Sequence, residues 1–155
     1  MRKLLQINVT ANWGSTGKIA EAIGQAAASN GWESFIAYGR IANHSSSELI
    51  KVGSRIEPYI HYLYDRLFDE EGLSSKKSTK ALIKHIATIN PDVVHLHNIH
   101  DHYLNYQILF EYLNQTNIKV VWTFHDCWAF TGHCFHFVTK GCQSPAGRDG
   151  ANRLT

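Results

Sequence analysis

The sequence predicts an α/β domain in which helices flank a doubly wound parallel sheet. Short apolar runs alternate with amphipathic helical patterns, and this alternation is typical of consecutive βαβ units. Three of the apolar runs are followed by polar clusters, at residues 10–17, 97–102 and 125–128. Ligands of such sheets bind outside the carboxyl ends of the strands, so we expect the three clusters to meet in one crevice.

The order of the predicted elements supports this fold class. Strands are predicted at residues 3–9, 34–38, 49–52, 93–96 and 119–124. Helices are predicted at residues 17–30, 55–68, 79–89 and 105–116, with Asn105 as the N-cap of the last. The last strand is apolar enough to predict a central position in the sheet. Residues 69–80 are charged and contain Gly and Ser, which indicates a mobile segment.

Glycine and proline interrupt the sequence after residue 140, where hydrophobic periodicity ends. We therefore expect one folded domain at residues 1–139 and an irregular tail at residues 140–155. A chain that stops in such a segment is expected to be a truncated protein or an excised domain.

Composition excludes several classes of protein. The 155 residues are 44% apolar and 18% charged, and the net charge of +2 is too small to indicate a nucleic-acid partner. No apolar run reaches 18 residues, and Gln6 and Asn8 interrupt the only stretch that resembles a signal peptide. Three cysteines, an odd number, favour a reducing cytoplasm over a disulfide framework.

A glycine motif, Asn12-x-Gly14-x-x-Gly17, lies between the first strand and the first helix. Glycine lets a ligand approach the backbone, and the free N–H groups of the helix N-terminus favour an anion. The spacing excludes a P-loop. Arg40, at the end of the second strand, leaves NADP open as a ligand. A tight turn that only permits helix–strand packing is the alternative interpretation.

Four closely spaced histidines raise the question of a metal site: His95, His97, His100 and His102. Their pattern approaches the H-x-H-x-D-H motif of metallo-hydrolases, but Ile99 stands in place of the aspartate and cannot act as a ligand or base. Three cysteines and a histidine further on have no C-x-x-C spacing: Cys127, Cys134, His136 and Cys142. We therefore predict no bound metal.

The histidines have other predicted roles. His95 lies within a strand and is expected to be a hydrogen-bonded core residue. His97 and His100 lie past the strand end, where polar side chains contact ligands, and Asp101 is expected to orient a neighbouring histidine. His125 and Asp126 follow the fifth strand, where a partly desolvated imidazole could hydrogen-bond a sugar hydroxyl or a developing charge.

Several motifs together make the chain resemble a known family. They lie at residues 8–20, 39–40, 91–98, 122–128, 130–134 and 141–142. With them, residues 3–142 resemble the N-terminal half of bacterial glycosyltransferases of family 4, which are retaining enzymes of the GT-B fold. The likeness is strongest to the subgroup of capsule, exopolysaccharide and colanic acid biosynthesis.

The resemblance implies a Rossmann-like, acceptor-binding domain that faces a second domain across a cleft. The second domain would bind a nucleotide-diphosphate sugar, whose sugar passes to a polysaccharide or lipid-linked acceptor, with no cofactor or metal. By position, His125 would be the catalytic residue in contact with the transferred sugar. The substrate-binding residues would be Gly14, Ser15, Thr16, Gly17, His97, Asn98, His100 and Asp126.

The sequence also departs from this family. The E-x7-E motif of the donor-binding domain is absent, and residues 143–155 look unrelated to the family. We therefore expect this polypeptide alone to have no transferase turnover. A stand-alone saccharide- or partner-binding module and an NADP-binding domain remain as alternatives. The aromatic and basic helix at residues 55–68 would place the protein peripherally on the inner membrane, unless that helix simply faces the core.

Overall fold

The structure, a computed structural model, describes residues 1–54 and 75–131. It divides the chain into two compact units, residues 1–123 and residues 124–155. The described part of the first unit contains the sheet and three helices. The described part of the second unit contains one short helix, Trp128–Thr131.

The five strands of residues 1–54 and 75–123 are parallel and belong to one sheet of order β3-β2-β1-β4-β5. The strands are β1 (Lys3–Asn8), β2 (Glu33–Tyr38), β3 (Glu48–Lys51), β4 (Val93–Leu96) and β5 (Lys119–Trp122). The helices are α1 (Gly14–Ser29), α2 (Lys76–Ile89) and α3 (Tyr106–Asn114). The predicted fold class is confirmed.

The centre of the sheet is β1, which pairs with β2 on one side and β4 on the other. Its residues from Leu4 to Asn8 are all buried, as expected for a parallel strand covered on both faces. Two of these buried residues, Gln6 and Asn8, are polar. Buried amides need hydrogen-bond partners, and the partners of Asn8 line the candidate site described below.

Two helices begin earlier than the sequence predicts. Helix α1 begins at Gly14, where glycine takes a left-handed φ of +64° that other residues disfavour. Helix α2 begins at Lys76, so the prediction of a mobile segment is wrong for residues 76–80. Leu82 and Ile86 anchor α2 in the core. The predicted cap of α3 is confirmed, because Asn105 Oδ1 accepts a hydrogen bond of 2.9 Å from the Ile108 N–H.

The predicted central position of β5 is wrong for the part of the chain that the structure describes. There β5 pairs with β4 only and forms the edge of the sheet. Val120 and Val121 are 44% and 48% exposed. Their β-branched side chains favour a strand of any kind, but they do not specify how many neighbours that strand has.

Some sequence predictions fall on residues outside the described ranges. These are the helix at 55–68, the first part of the segment at 69–80, the boundary at 139–140 and the residues Cys134, His136 and Cys142. Among the helices of residues 1–54 and 75–131, none has the length and apolarity needed to cross a membrane.

Candidate functional site

The candidate site lies where the connections of the sheet diverge. From β1 the chain passes through α1 to β2, whereas β4 lies on the other side of β1 and continues to β5. The segments that leave β1 and β4 therefore separate and leave a crevice at the carboxyl edge of the sheet. The fold places a ligand site here whatever the ligand is.

A cavity of about 280 Å³ occupies this edge of the sheet. Its volume is at the lower end of the range of small-molecule sites, which begins near ~300 Å³. Six lining residues come from the end of β1 and the first turn of α1: Val9, Thr10, Trp13, Gly14, Ser15 and Thr16. The other four follow β2 and β4: Arg40, Ile41, Asn98 and Asp101.

The two glycines of the motif have different roles. Gly14 is exposed beside the cavity, and a Cβ built on it would meet nothing within 4 Å. Gly17 is buried, and a Cβ there would lie 2.6 Å from Thr10 Oγ1. Gly14 is thus required for its left-handed backbone, and Gly17 for close packing. Trp13, the N-cap of α1, makes no side-chain capping bond, and the first turn of α1 holds no acidic residue.

Asn8 joins the loops on the two sides of the cavity. Its Oδ1 accepts a hydrogen bond of 3.3 Å from the Asn98 N–H, which follows β4. Its Nδ2 donates to Thr10 O at 2.8 Å and to Thr16 Oγ1 at 3.4 Å. All three partners line the cavity, so one fully buried amide fixes its two walls relative to each other.

His97 lies under the site rather than in its wall. It is 2% exposed, and its Nε2 lies 3.0 Å from Gln6 Oε1. Because Gln6 Nε2 donates to Ala20 O at 2.8 Å, the amide oxygen faces the imidazole, and His97 carries its proton on Nε2. The prediction of a hydrogen-bonded His95 is confirmed by a contact of 2.8 Å between its Nε2 and Thr123 Oγ1.

The structure brings together only some of the predicted site residues. Gly14, Ser15, Thr16 and Asn98 share the cavity. Gly17, His97 and His100 are buried and do not line it. His125 and Asp126 belong to the second unit, where Asp126 Oδ1 accepts a hydrogen bond of 3.0 Å from the Trp128 N–H. The prediction that His125 shares the crevice stays a prediction.

The sequence did not single out Trp13 or Asp101 as ligand contacts, and it indicated Arg40 only as a partner for the 2′-phosphate of NADP. Trp13 is 48% exposed in the cavity wall. Arg40 and Asp101 form an ion pair with Nη2 and Oδ1 3.0 Å apart. Asp101 was predicted to orient a histidine, but its Oδ1 lies 3.9 Å from Nδ1 of His102, which is farther than its distance from Arg40. Arg40 is the second residue after β2, and this position past a strand end was the signal in the sequence.

Two buried acidic groups, the Tyr103 hydroxyl and the Glu21 carboxyl, have shifted pKa values. Burial raises the pKa of Tyr103 well above its ordinary value, and the charge of Asp101 adds to this. Burial also raises the pKa of Glu21, but hydrogen bonds from Ser45, Ser46 and Gln25 outweigh it, so the net pKa is lowered. Tyr103 thus stays neutral and Glu21 stays ionised near pH 7. Within the described ranges, no group of three or more His, Cys, Asp or Glu side chains could hold a metal ion.

Comparisons with known proteins agree with this fold. Residues 17–151 match the sequence profile of Glycosyltransferase Family 4. The putative colanic acid biosynthesis glycosyl transferase WcaC of Escherichia coli (strain K12) is 26% identical over 152 residues, which cover 90% of this chain and 36% of that protein.

A solved structure, sucrose-phosphate synthase from Thermosynechococcus elongatus, matches with a TM-score of 0.55 and 16% identity. The match covers 81% of this chain and 33% of that one, and it shows the fold, a Rossmann-like domain of the GT-B type. The chain thus spans about a third of the length of both relatives. The profile match extends over most of the sequence, and the chain belongs to Glycosyltransferase Family 4.

Proposed function

We propose that this chain is the acceptor-binding domain of a retaining glycosyltransferase that acts in polysaccharide biosynthesis in the cytoplasm. The donor is a nucleotide-diphosphate sugar, and the acceptor is a polysaccharide or a lipid-linked saccharide, which would bring the protein to the membrane surface. The acceptor-binding domain is proposed to extend over residues 1–139, with residues 140–155 outside it.

The cavity carries this proposal. It combines an exposed indole with hydroxyl groups, an amide and an ion pair, all at the carboxyl edge of the sheet. Sugars present apolar C–H faces to aromatic rings and hydroxyl groups to polar side chains, so both surfaces have a counterpart here. Membership in Glycosyltransferase Family 4 supports a saccharide as the ligand.

The remaining roles follow from the family. His125 is proposed to contact the transferred sugar, and the loop at residues 14–17 to lie near the donor diphosphate. The 155 residues contain no E-x7-E motif, so this polypeptide is expected to bind an acceptor without turning over the donor.

The ion pair does not favour the NADP alternative. Arg40 was the residue that would accept a 2′-phosphate, but Asp101 lies 3.0 Å from its guanidinium. A phosphate at this point would meet the carboxylate as well as the guanidinium, and like charges in contact oppose binding.

A saccharide-binding experiment tests the proposal. Oligosaccharides of bacterial capsules and exopolysaccharides are titrated into the 155-residue chain while amide and indole NMR signals are followed. We expect shifts at Trp13, Ser15 and Asn98, and Trp13→Ala should weaken binding about tenfold, as expected for the loss of ~1.4 kcal/mol of aromatic contact. Trp32→Ala is the matched control, because Trp32 precedes β2 at the amino end of the strand, whereas the cavity lies at the carboxyl ends.

Two results would contradict the proposal. Equal losses in Trp13→Ala and Trp32→Ala would place the saccharide outside the cavity. Shifts caused by NADP and by no saccharide would favour the dinucleotide alternative. Robust sugar transfer by the 155 residues alone would refute the expectation that they are inactive by themselves.

A further inference from the structure

Arg40 and Asp101 lie on two different loops and form an ion pair in the wall of the cavity. Nη2 and Oδ1 are 3.0 Å apart, and the two side chains are 43% and 33% exposed. Both residues line the cavity. An exposed ion pair contributes little to stability, so stability alone does not explain its position in the cavity wall.

The backbone around the pair is fixed at several points. The N–H groups of Gly39 and Arg40 both donate to Val9 O, at 3.2 and 2.8 Å. Gly39 lacks a Cβ, and Tyr103 occupies that space, since a Cβ would lie 2.2 Å from Tyr103 Cγ. Tyr103 in turn donates its hydroxyl to Asn98 O at 2.9 Å. The packing of Tyr103 against Gly39 therefore holds the loop of Asp101 against the end of β2.

The conformation of Asp101 is costly. Asp101 and His102 both have left-handed φ values, 82° and 62°. Such a backbone conformation is unfavourable for a residue with a Cβ and persists where the surrounding structure enforces it, most often at functional sites. The carboxylate is thus held in the cavity wall by buried packing and not by the ion pair alone.

The pair has unused hydrogen-bonding capacity. In the part of the chain that the structure describes, Asp101 Oδ2 and the remaining guanidinium N–H groups have no hydrogen-bond partner. The pair therefore offers an acceptor and several donors side by side with no net charge. Two adjacent hydroxyl groups of a sugar ring, each of which donates and accepts, match this arrangement.

An anionic sugar does not match it. Arg40 is already neutralised, and a sugar carboxylate or phosphate would approach the carboxylate of Asp101. Like charges in contact oppose binding strongly, so the pair discriminates between ligands by repulsion as well as by attraction.

We propose that the Arg40–Asp101 pair selects an acceptor whose sugar in the cavity is uncharged and carries two adjacent hydroxyl groups. This selection makes the pair a specificity determinant of the acceptor site. The inference rests on the proposed function, which places the acceptor in this cavity.

The test compares two probes that differ only at C6, methyl glucoside and methyl glucuronoside. Their dissociation constants are measured by NMR titration of the 155-residue chain. We expect the wild type to prefer the neutral glucoside by about tenfold, corresponding to a loss of ~1.4 kcal/mol for the anion. Asp101→Asn keeps the shape of the side chain and removes its charge, so this preference should vanish or reverse.

Two further variants make the test independent of folding defects in Asp101→Asn. Asp92→Asn removes the same charge at the amino end of β4, where its Oδ2 accepts from the Lys3 N–H, and should leave the preference unchanged. Arg40→Met removes the donors and leaves the carboxylate, so it should weaken glucoside binding about tenfold and not improve glucuronoside binding.

The outcomes separate this inference from the proposed function. Equal binding of both probes by the wild type, an unchanged preference in Asp101→Asn, or unchanged glucoside binding in Arg40→Met would overturn the inference and leave a saccharide site in place. If neither probe shifts any signal of a cavity residue, the proposed saccharide site fails and the inference fails with it.

Discussion

The loops that follow β1 and β4 line the same cavity, but they are held in place by different means. Residues 9–13, after β1, are fixed largely through the backbone: the Ala11 N–H donates to Ile41 O, and Ala11 O accepts from the Asn43 N–H, both at 3.0 Å. Residues 97–105, after β4, are fixed by side chains. Six of these are buried: His97, Ile99, His100, Tyr103, Leu104 and Asn105.

This difference decides which polar residues can reach a ligand. Where the backbone fixes the loop, an exposed side chain such as that of Trp13 is left to line the cavity. Where side chains fix the loop, few remain, and after β4 only Asn98 and Asp101 reach the cavity wall. Substitutions of the buried residues in the second loop should therefore reduce stability more than they weaken binding.

Tyr103→Ala should give the largest loss of stability. The tyrosine is 2% exposed and packs against Gly39, so its removal leaves a cavity that costs about 3 to 5 kcal/mol. Tyr103→Phe loses only the hydroxyl bond to Asn98 O and should cost about 1 kcal/mol. Urea unfolding measures both values.

Tyr112→Ala is the matched control, because Tyr112 is a half-buried tyrosine of α3. It should lose clearly less stability than Tyr103→Ala. Equal losses in the two alanine variants would mean that the loop after β4 does not depend on Tyr103, and the contrast between the loops would fail.

Asn8→Ala should have the next largest effect, because this side chain connects the two loops. Three hydrogen bonds are lost, and the Asn98 N–H is left without its acceptor, which together cost about 2 kcal/mol. Hydrogen exchange should report faster exchange of amides in both loops.

Asn43→Ala, which removes an exposed hydrogen bond to Asn12 O, is the control. It should cost less than about 1 kcal/mol of stability, and amide exchange should then change in the first loop alone.

The sequence predicted the cavity-lining residues that follow β1 more completely than those that follow β4. The glycine motif indicated Gly14, Ser15 and Thr16, and all three line the cavity. Such a motif reports a local backbone requirement, which a short stretch of sequence can express by itself. The parallel sheet was predictable for the same reason, since periodicity and turn residues are local signals.

The loop after β4 depends on partners that are distant in sequence. His97 is buried because Gln6, 91 residues away, accepts its hydrogen bond. Asp101 reaches the cavity because Gly39 leaves room for Tyr103. No spacing within residues 97–105 expresses these contacts, so a buried histidine and a ligand-facing histidine look alike in the sequence. The edge position of β5 is likewise a property of its neighbours.

Glu21→Gln should have the smallest effect on stability, and the size of this effect should depend on pH. Glu21 lies on α1, which carries the first wall of the cavity, and accepts hydrogen bonds from Ser45 and Ser46 of the segment before β3. Its folded-state pKa is below the unfolded value, so the stability it contributes is present above the unfolded pKa, about 4.3. That contribution is lost as the pH falls through the folded-state pKa.

The variant should therefore be less stable than the wild type by about 1 kcal/mol at pH 7, and the difference should shrink below pH ~4. Urea unfolding at a series of pH values measures it. Glu48→Gln is the control, since Glu48 is exposed and should show no such difference at any pH. A difference that stays constant down to pH ~3 would mean that the charge of Glu21 does not anchor α1. The cavity wall after β1 would then depend on its backbone contacts and on the side chain of Asn8.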